Sequence, residues 1–321
     1  MRSAAIALIL TTSAMPATAE VAFLGLPLEC EPGLNCYIED YVDADASARQ
    51  RDYTCGYKSR DGHKGTDFAL TSMQMMHNGT NVIAAAPGIV EAIRDGLQDR
   101  PYSAQNAADI AGRECGNAVR IRHENGLKTL YCHMRQDSVQ VQTGDTVDRG
   151  DMLGQVGMSG QSNYPHVHVT VLRDGTRIDP FAPETTESCG TGSGDTLWLD
   201  PIAYVATGFY TAGFSTAVPA FADVQSGAAR VLDTDATLPL VLYAHFFLAR
   251  EGDMLTLQAT GPDGDIFDHE VAIEAPQAQM FRAFGRKAPV DGWPAGRYQG
   301  TARLTRDGRV LGVRFTSITV R

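Results

Sequence analysis

The sequence predicts an all-β protein built as two units, and three observations predict it. Residues 139–160 run as brief apolar stretches broken by Gly144, Gly150 and Gly157, a rhythm of short strands joined by glycine turns. The Asn125-Gly126 pair, the strongest two-residue hairpin signal, sits between two alternating stretches. Beyond residue 200 alternating segments continue at turn-separated spacing, while the six cysteines all lie before residue 190. A chain of 321 residues exceeds the usual single-domain size.

Taken in order, the chain opens with Arg2, an apolar run from Ala4 to Leu10, and Ala17-Thr18-Ala19. That is the pattern of an export signal over residues 1–19, cut to leave Glu20 first. The run is broken by Thr11, Thr12 and Ser13, too short for the roughly 20 apolar residues of a membrane span. No other stretch is long enough to span, so none is expected after signal cleavage. Residues 20–60 are mixed; Asp43-Ala44-Asp45 lacks the other spaced ligands of a calcium loop and reads as a solvated turn. Val82 to Ala92 predicts two short strands about Pro87-Gly88, after a plain turn at His77-Asn78-Gly79-Thr80. Residues 95–114 are polar and predict an inserted loop with one helical turn near Ala107 to Ala111, suited to a groove wall.

Ala118 to Met134 is the clearest hairpin, its returning strand carrying Leu127, Thr129, Tyr131 and His133 on one face. A straight hairpin sets Cys132 opposite Val119 and leaves Cys115 about 13 Å beyond it. A Cys115–Cys132 bridge would need a bulge or bend, since bridged Cα atoms lie within about 7 Å. Residues 139–160 share their rhythm with lipoyl and biotinyl carrier barrels, yet no lysine sits at a hairpin tip. Arg177-Ile178-Asp179-Pro180-Phe181 closes the first unit, placed at 20–190 with its core at 55–182. Glu184 to Thr196 reads as a linker. Residues 200–321, with strands expected over 238–247, 254–259, 271–274, 298–304 and 310–320, predict an immunoglobulin-like β-sandwich.

The formal charge of −11 opposes phosphate backbones and anionic membrane surfaces, which makes nucleic acid a poor partner. An even cysteine count, Cys30, Cys36, Cys55, Cys115, Cys132 and Cys189, in an exported chain predicts disulfides with the pairing open. No Cys-x-x-Cys spacing speaks for a thiolate metal site.

The chemistry concentrates in two stretches. In Pro165-His166-Val167-His168 an extended strand aims both imidazoles at one face. In Gly62-His63-Lys64-Gly65-Thr66-Asp67 a spacing of four would suit a helix, but Gly62 and Gly65 argue for loop or strand. Two imidazoles and a carboxylate are ligands of the kind zinc prefers. His77, His123, His245 and His269 sit in turns or the C-terminal unit and read as structural or surface residues. Trp293 before a strand reads as a sandwich core anchor in preference to a glycan-binding patch.

Further motifs follow in fixed order: Gly116-Asn117, Thr129-Leu130-Tyr131-Cys132-His133, Gly144-Asp145-Thr146-Val147 and Gly157-Met158-Ser159-Gly160. From about Asp61 to Phe181 the chain thus resembles the lysostaphin-type zinc metallopeptidases that cleave peptidoglycan peptides, exported Gram-negative members above all. The resemblance implies an antiparallel β-sheet catalytic domain like a duplicated hybrid motif, and one zinc ion per chain. It implies His63, Asp67 and His168 as metal ligands, with His133 and His166 as catalytic imidazoles. It further implies a periplasmic or secreted hydrolase of peptidoglycan peptides, with room for a protein partner on the C-terminal unit. Two positions depart from the family pattern: Tyr164, where Gly precedes Pro-His, and Thr170, where Glu usually follows the pair. Tyr57 is a weak candidate for an oxyanion tyrosine. The competing function is a non-enzymatic regulator of wall hydrolases on the same fold, and the complete set of five residues favours the enzyme.

Overall fold

The computed structural model describes residues 23–184, 189–190 and 195–321; the signal segment at 1–19 and part of the 184–196 linker lie outside them. Strands and loops dominate throughout. Strands β1 (Cys36–Ile38), β2 (Thr66–Leu70), β4 (Gly88–Arg94), β5 (Asn117–Arg122), β6 (Leu127–Met134), β7 (Thr146–Val147), β9 (His166–Arg173) and β10 (Thr176–Ile178) form one antiparallel sheet. Its order is β1-β2-β9-β6-β5-β4-β7, with β10 also on β9. A second ladder, β3 (Asn81–Ile83) with β8 (Met152–Gln155), packs beneath it. The two strands expected about Pro87-Gly88 are present, but they belong to different sheets.

The sheet's inner face is filled by Phe68, Val119, Ile121, Tyr131, Val167, Val169 and Val171, which alternate with the residues that face the site. Leu197, Trp198, Ile202 and Tyr204 pack into this same cluster, so the chain after the linker first returns to the site-bearing unit. Asp52 fixes that return. Its fully buried carboxylate accepts from Thr54, Gly56 and Lys58 backbone N–H groups and from the Tyr204 hydroxyl, which satisfies a charge that would otherwise be costly to bury.

Three disulfides join Cys30 to Cys36, Cys55 to Cys189 and Cys115 to Cys132. The last needs the distortion that a straight hairpin forbids. Asn117 pairs with Met134 while Val119 pairs with Tyr131, so β6 carries one extra residue. That bulge brings the Cys115 and Cys132 Cα atoms to 4.8 Å.

The C-terminal unit is a two-sheet sandwich. One sheet orders β11 (Gly208–Ser215), β13 (Leu240–Phe247) and β16 (Gln279–Arg286). The other orders β12 (Asp233–Thr234), β18 (Arg309–Val320), β17 (Gly296–Arg306), β14 (Met254–Gly261) and β15 (Gly264–Ala272). Only β12 and β18 run parallel among these pairs. With the two-residue β12 left out of the count, the arrangement matches the immunoglobulin-like order: first, second and fifth strands (β11, β13, β16) face a sheet built on the third, sixth and seventh (β14, β17, β18), with the fourth (β15) at its edge. Phe214, Leu242 and Phe246 meet Leu257, Tyr298 and Ile318 between the sheets. The Tyr298 hydroxyl donates to the Pro294 carbonyl at 2.8 Å, the tyrosine corner of such folds. Trp293 is a core anchor beside it, its Nε1 donating to the Leu238 carbonyl. Helices among the described residues are few: α1 (Met73–Asn78), α2 (Ala107–Ile110) and α3 (Phe221–Ser226). Among the described residues no helix is long and apolar enough to cross a membrane.

Candidate active site

Register assembles the site. β2 pairs with β9 so that Asp67 lies opposite His168 and Ala69 opposite His166; β6 sets Cys132 opposite His168 on the other side. Cross-strand neighbours share a face, so Asp67, His168 and His166 project together from the side away from the core. His63 arrives from the turn before β2. Gly65 permits the approach: a Cβ there would stand 2.5 Å from the Val169 carbonyl oxygen and 2.6 Å from His168 Nε2.

One ligand atom each from His63, Asp67 and His168 lies within 4.8 Å of the others. His63 Nδ1 bonds the Tyr41 carbonyl at 2.6 Å, and His168 Nε2 bonds the Thr170 hydroxyl at 3.0 Å. The Tyr41 carbonyl accepts the His63 Nδ1–H, while the Thr170 hydroxyl can meet His168 Nε2 as donor or acceptor. His63 Nε2 and His168 Nδ1 face each other at 3.2 Å, and stand 3.0 and 2.7 Å from the Asp67 carboxylate, the second contact a hydrogen bond. With the inward protons displaced, two ring nitrogens and a carboxylate converge on one point. The donor set fits a metal of zinc's type, with fewer than four protein ligands. Burial would raise the Asp67 pKa, but the His63, His166 and His168 rings outweigh it and hold the carboxyl well below its usual range. Arg60 also bonds Asp67, and its Nε bonds Asp40 at 2.7 Å.

His133 and His166 stand beside this cluster with ring centroids 4.7 Å apart. The hairpin pattern puts His133 on the face of Tyr131, but the structure puts it on the other. At the bulge both Cys132 and His133 turn to the groove, Tyr131 and Met134 on either side stay in the core, and His133 has φ of 60°. Its backbone N–H donates to the Cys115 carbonyl at 2.8 Å, so the disulfide loop holds the bulge. His133 Nδ1 bonds the Ser159 carbonyl and His166 Nδ1 the Tyr164 carbonyl, each at 2.8 Å. A ring that carries its single proton on Nδ1 presents Nε2 as an acceptor. His166 Nε2 is buried without a hydrogen-bond partner, 3.7 Å from Asp67 Oδ1. Burial, reinforced by His166 and His168, pushes the His133 pKa well below its ordinary value.

A groove of about 530 Å³ opens over the site, lined by Arg60, Lys64, Glu114, Leu130, Gln161 and Thr170 among others. The polar loop before β5 thus supplies one groove wall through Glu114 and Cys115. Tyr57 is 72% exposed and absent from that lining, so its assignment to an oxyanion is not supported. His123 bonds the Pro87 carbonyl and Thr129 on the far side of the sheet, and His245 is buried in the sandwich. Pattern reading missed Arg60, the Tyr41 and Ser159 carbonyls and Glu39. Glu39 donates its N–H to the Asp67 carbonyl, and desolvation lifts its carboxyl to about 7 against the pull of His166. Nothing in local sequence marks a backbone carbonyl as a ring's partner, but Thr170, two residues after His168 on the same face, was readable.

A His–Asp–His donor set around a buried carboxylate, with His133 lining the same groove and His166 buried beside it, is of the class that metal-dependent hydrolases use. Residues 61–180 match the model of peptidase family M23. It is 32% identical over 133 residues to the DD-carboxypeptidase/endopeptidase Mpg of Neisseria meningitidis serogroup B, covering 39% of this chain and 25% of that protein. It is 30% identical over 126 residues to the peptidoglycan DD-endopeptidase ShyC of Vibrio cholerae, covering 39% and 24%. The chain thus spans about a quarter of the length of these curated relatives. Among solved structures, the catalytic domain of lysostaphin from Staphylococcus simulans aligns with 44% of this chain and 85% of its own, at 21% identity and a TM-score of 0.29.

Proposed function

We propose that the protein is an exported zinc metalloendopeptidase that hydrolyses peptide bonds in the stem or cross-link peptides of peptidoglycan. The observation that carries this reading is the convergence of His63, Asp67 and His168 within 4.8 Å, beside the bare Nε2 of His166. The names of the M23 relatives support the substrate class. Export through residues 1–19 to the periplasm or the medium agrees with three disulfides in the first unit. The reading includes two units, 20–190 and 200–321, the second open to a protein partner.

His63, Asp67 and His168 would hold one zinc ion. When bound, zinc supplies a water of near-neutral pKa and polarises the scissile carbonyl. His166 accepts the water proton at Nε2 while its Nδ1–H stays on the Tyr164 carbonyl. The Tyr164 carbonyl on Nδ1–H favours the imidazolium that forms, and the proton then passes to the leaving amine. His133 can donate to an oxyanion only after Nε2 gains a proton, because its Nδ1–H is committed to Ser159. Its depressed pKa keeps that protonated ring scarce near neutral pH, so the unprotonated Nε2 serves first as an acceptor.

The test is to incubate the mature, zinc-loaded protein with purified sacculi and identify released muropeptides by mass spectrometry. New amine and carboxyl ends that vanish with His168→Ala support the proposal. Unchanged sacculi, or products identical with the His168→Ala variant, overturn it. Stimulation of a second wall hydrolase that survives His168→Ala would favour the regulator.

A further inference from the structure

The sandwich meets the site-bearing sheet at a small aromatic cluster. Tyr37 of β1, Ala69 of β2, Tyr210 of β11 and Phe247 of β13 are buried together, with Tyr164 and Leu248 packed against them. The Tyr37 ring centroid lies 4.5 Å from Tyr210 and 5.9 Å from Phe247, and Tyr210 lies 4.9 Å from Phe247. Tyr37 pairs with Ala69 and Ala69 with His166, so this cluster continues the cross-strand row of His166 toward the second unit. Leu248 is held there at φ of 50°, a left-handed conformation that an apolar side chain adopts only when its surroundings impose it. Thr207 Oγ1 fixes it by donating to the Leu248 carbonyl at 3.0 Å.

Tyr164 belongs to both places. Its ring packs in the cluster, while its carbonyl accepts from His166 Nδ1 and from Ser162 Oγ, each at 2.8 Å. The phenol oxygen is buried with no hydrogen-bond partner, so the ring is held by its apolar surface and the hydroxyl contributes nothing. The ring and the carbonyl hang from one residue, and moving the first moves the second. That carbonyl decides which nitrogen of His166 carries the proton. Without it the ring can turn or change tautomer, and the Nε2 lone pair beside Asp67 is lost.

We infer that Tyr164 is a positioning residue through which the C-terminal sandwich sets the orientation and tautomer of His166. The sandwich is then a working part of the site, and the departure from the family pattern at Tyr164 is the contact that recruits it. The kinetic consequence rests on the proposed peptidase reading; the state of the His166 ring does not.

The experiment compares the zinc-loaded full chain with its Tyr164→Ala, Tyr164→Phe and Tyr210→Leu variants. Histidine ring 15N spectra report the His166 tautomer, elemental analysis reports bound zinc, and peptide cleavage reports kcat and KM. Tyr164→Ala is expected to keep its zinc, lose the single Nδ1–H signal of His166, and lower kcat on the order of tenfold to a hundredfold with KM little changed. Tyr164→Phe restores all three readouts, and Tyr210→Leu shows a weaker form of the Tyr164→Ala defect. A wild-type His166 spectrum in Tyr164→Ala overturns the inference, as does damage in Tyr164→Phe equal to that in Tyr164→Ala. If Tyr164→Ala does not fold, Tyr210→Leu decides alone: an unaltered His166 spectrum overturns the inference. Should the wild type cleave no peptide, the peptidase reading fails while the ring spectra still decide this one.

Discussion

The two units of this chain are both antiparallel β structures, yet they obey local rules to different degrees. The sandwich alternates in β14 and over most of β17, closes its core with Tyr298 and Trp293, and contains none of the disulfides. The site-bearing sheet carries all three disulfides, a bulge that turns two consecutive residues outward, and a histidine at positive φ. The sandwich has bulges and positive φ values of its own, at Leu248 and Asp307, but the bulge at the groove is the one that redirects a site residue, since regular alternation would have sent His133 into the core. The placement of imidazoles sets that exception.

If that contrast is right, substitutions in the first unit should change chemistry out of proportion to stability, and those in the second the reverse. The largest effect belongs to His168→Ala, which is expected to abolish both bound zinc and cleavage, as checked by elemental analysis and muropeptide release. His166→Ala should retain the metal and lower kcat by about a hundredfold to ten-thousandfold, the usual contribution of a positioned acid–base group. Loss of zinc in that variant would remove the distinction between ligand and base. Thr170→Val, which strips the hydroxyl from His168 Nε2, should weaken metal affinity about tenfold to a hundredfold in a chelator competition. An unchanged affinity would mean that Thr170 does not set the tautomer.

Replacing both Cys115 and Cys132 by Ser opens a loop of 17 residues and is expected to cost about 3 kcal/mol in denaturant unfolding. Because the Cys115 carbonyl holds the His133 N–H, kcat should fall as well while zinc is retained. Stability loss with full activity would detach the bulge from the chemistry. The smallest effect is expected from Tyr298→Phe, which removes one hydrogen bond worth about 1 kcal/mol and should leave zinc and cleavage untouched. A cleavage defect there would blur the division between the units.

How much of this was legible follows from range. The His166/His168 pair was readable because strand alternation is local, and the sandwich because its strands recur between turns. The bulge was visible only as a misfit, since a straight hairpin could not join Cys115 to Cys132; its effect on His133 depends on a φ value that no pattern encodes. Strand β16 escaped because it lies at a sheet edge, half-exposed and interrupted by Gly285. Helix α1 runs into the plain turn expected at His77-Asn78-Gly79-Thr80 and leaves no mark of its own although Ser72 caps it, six residues being too few to show a helical period. The tyrosine cluster joining the units escaped for another reason. Tyr37, Tyr164 and Tyr210 meet only in three dimensions.

The bridge between Cys55 and Cys189 spans 134 positions of sequence. His63, Asp67, His133, His166 and His168 all fall inside it, so the whole reacting set lies within one covalent ring. A single cut in any exposed turn between those cysteines would open the ring without releasing either piece. Nicked in that way the chain would still keep its five groups tethered together, and the damage would become visible only on reducing gels.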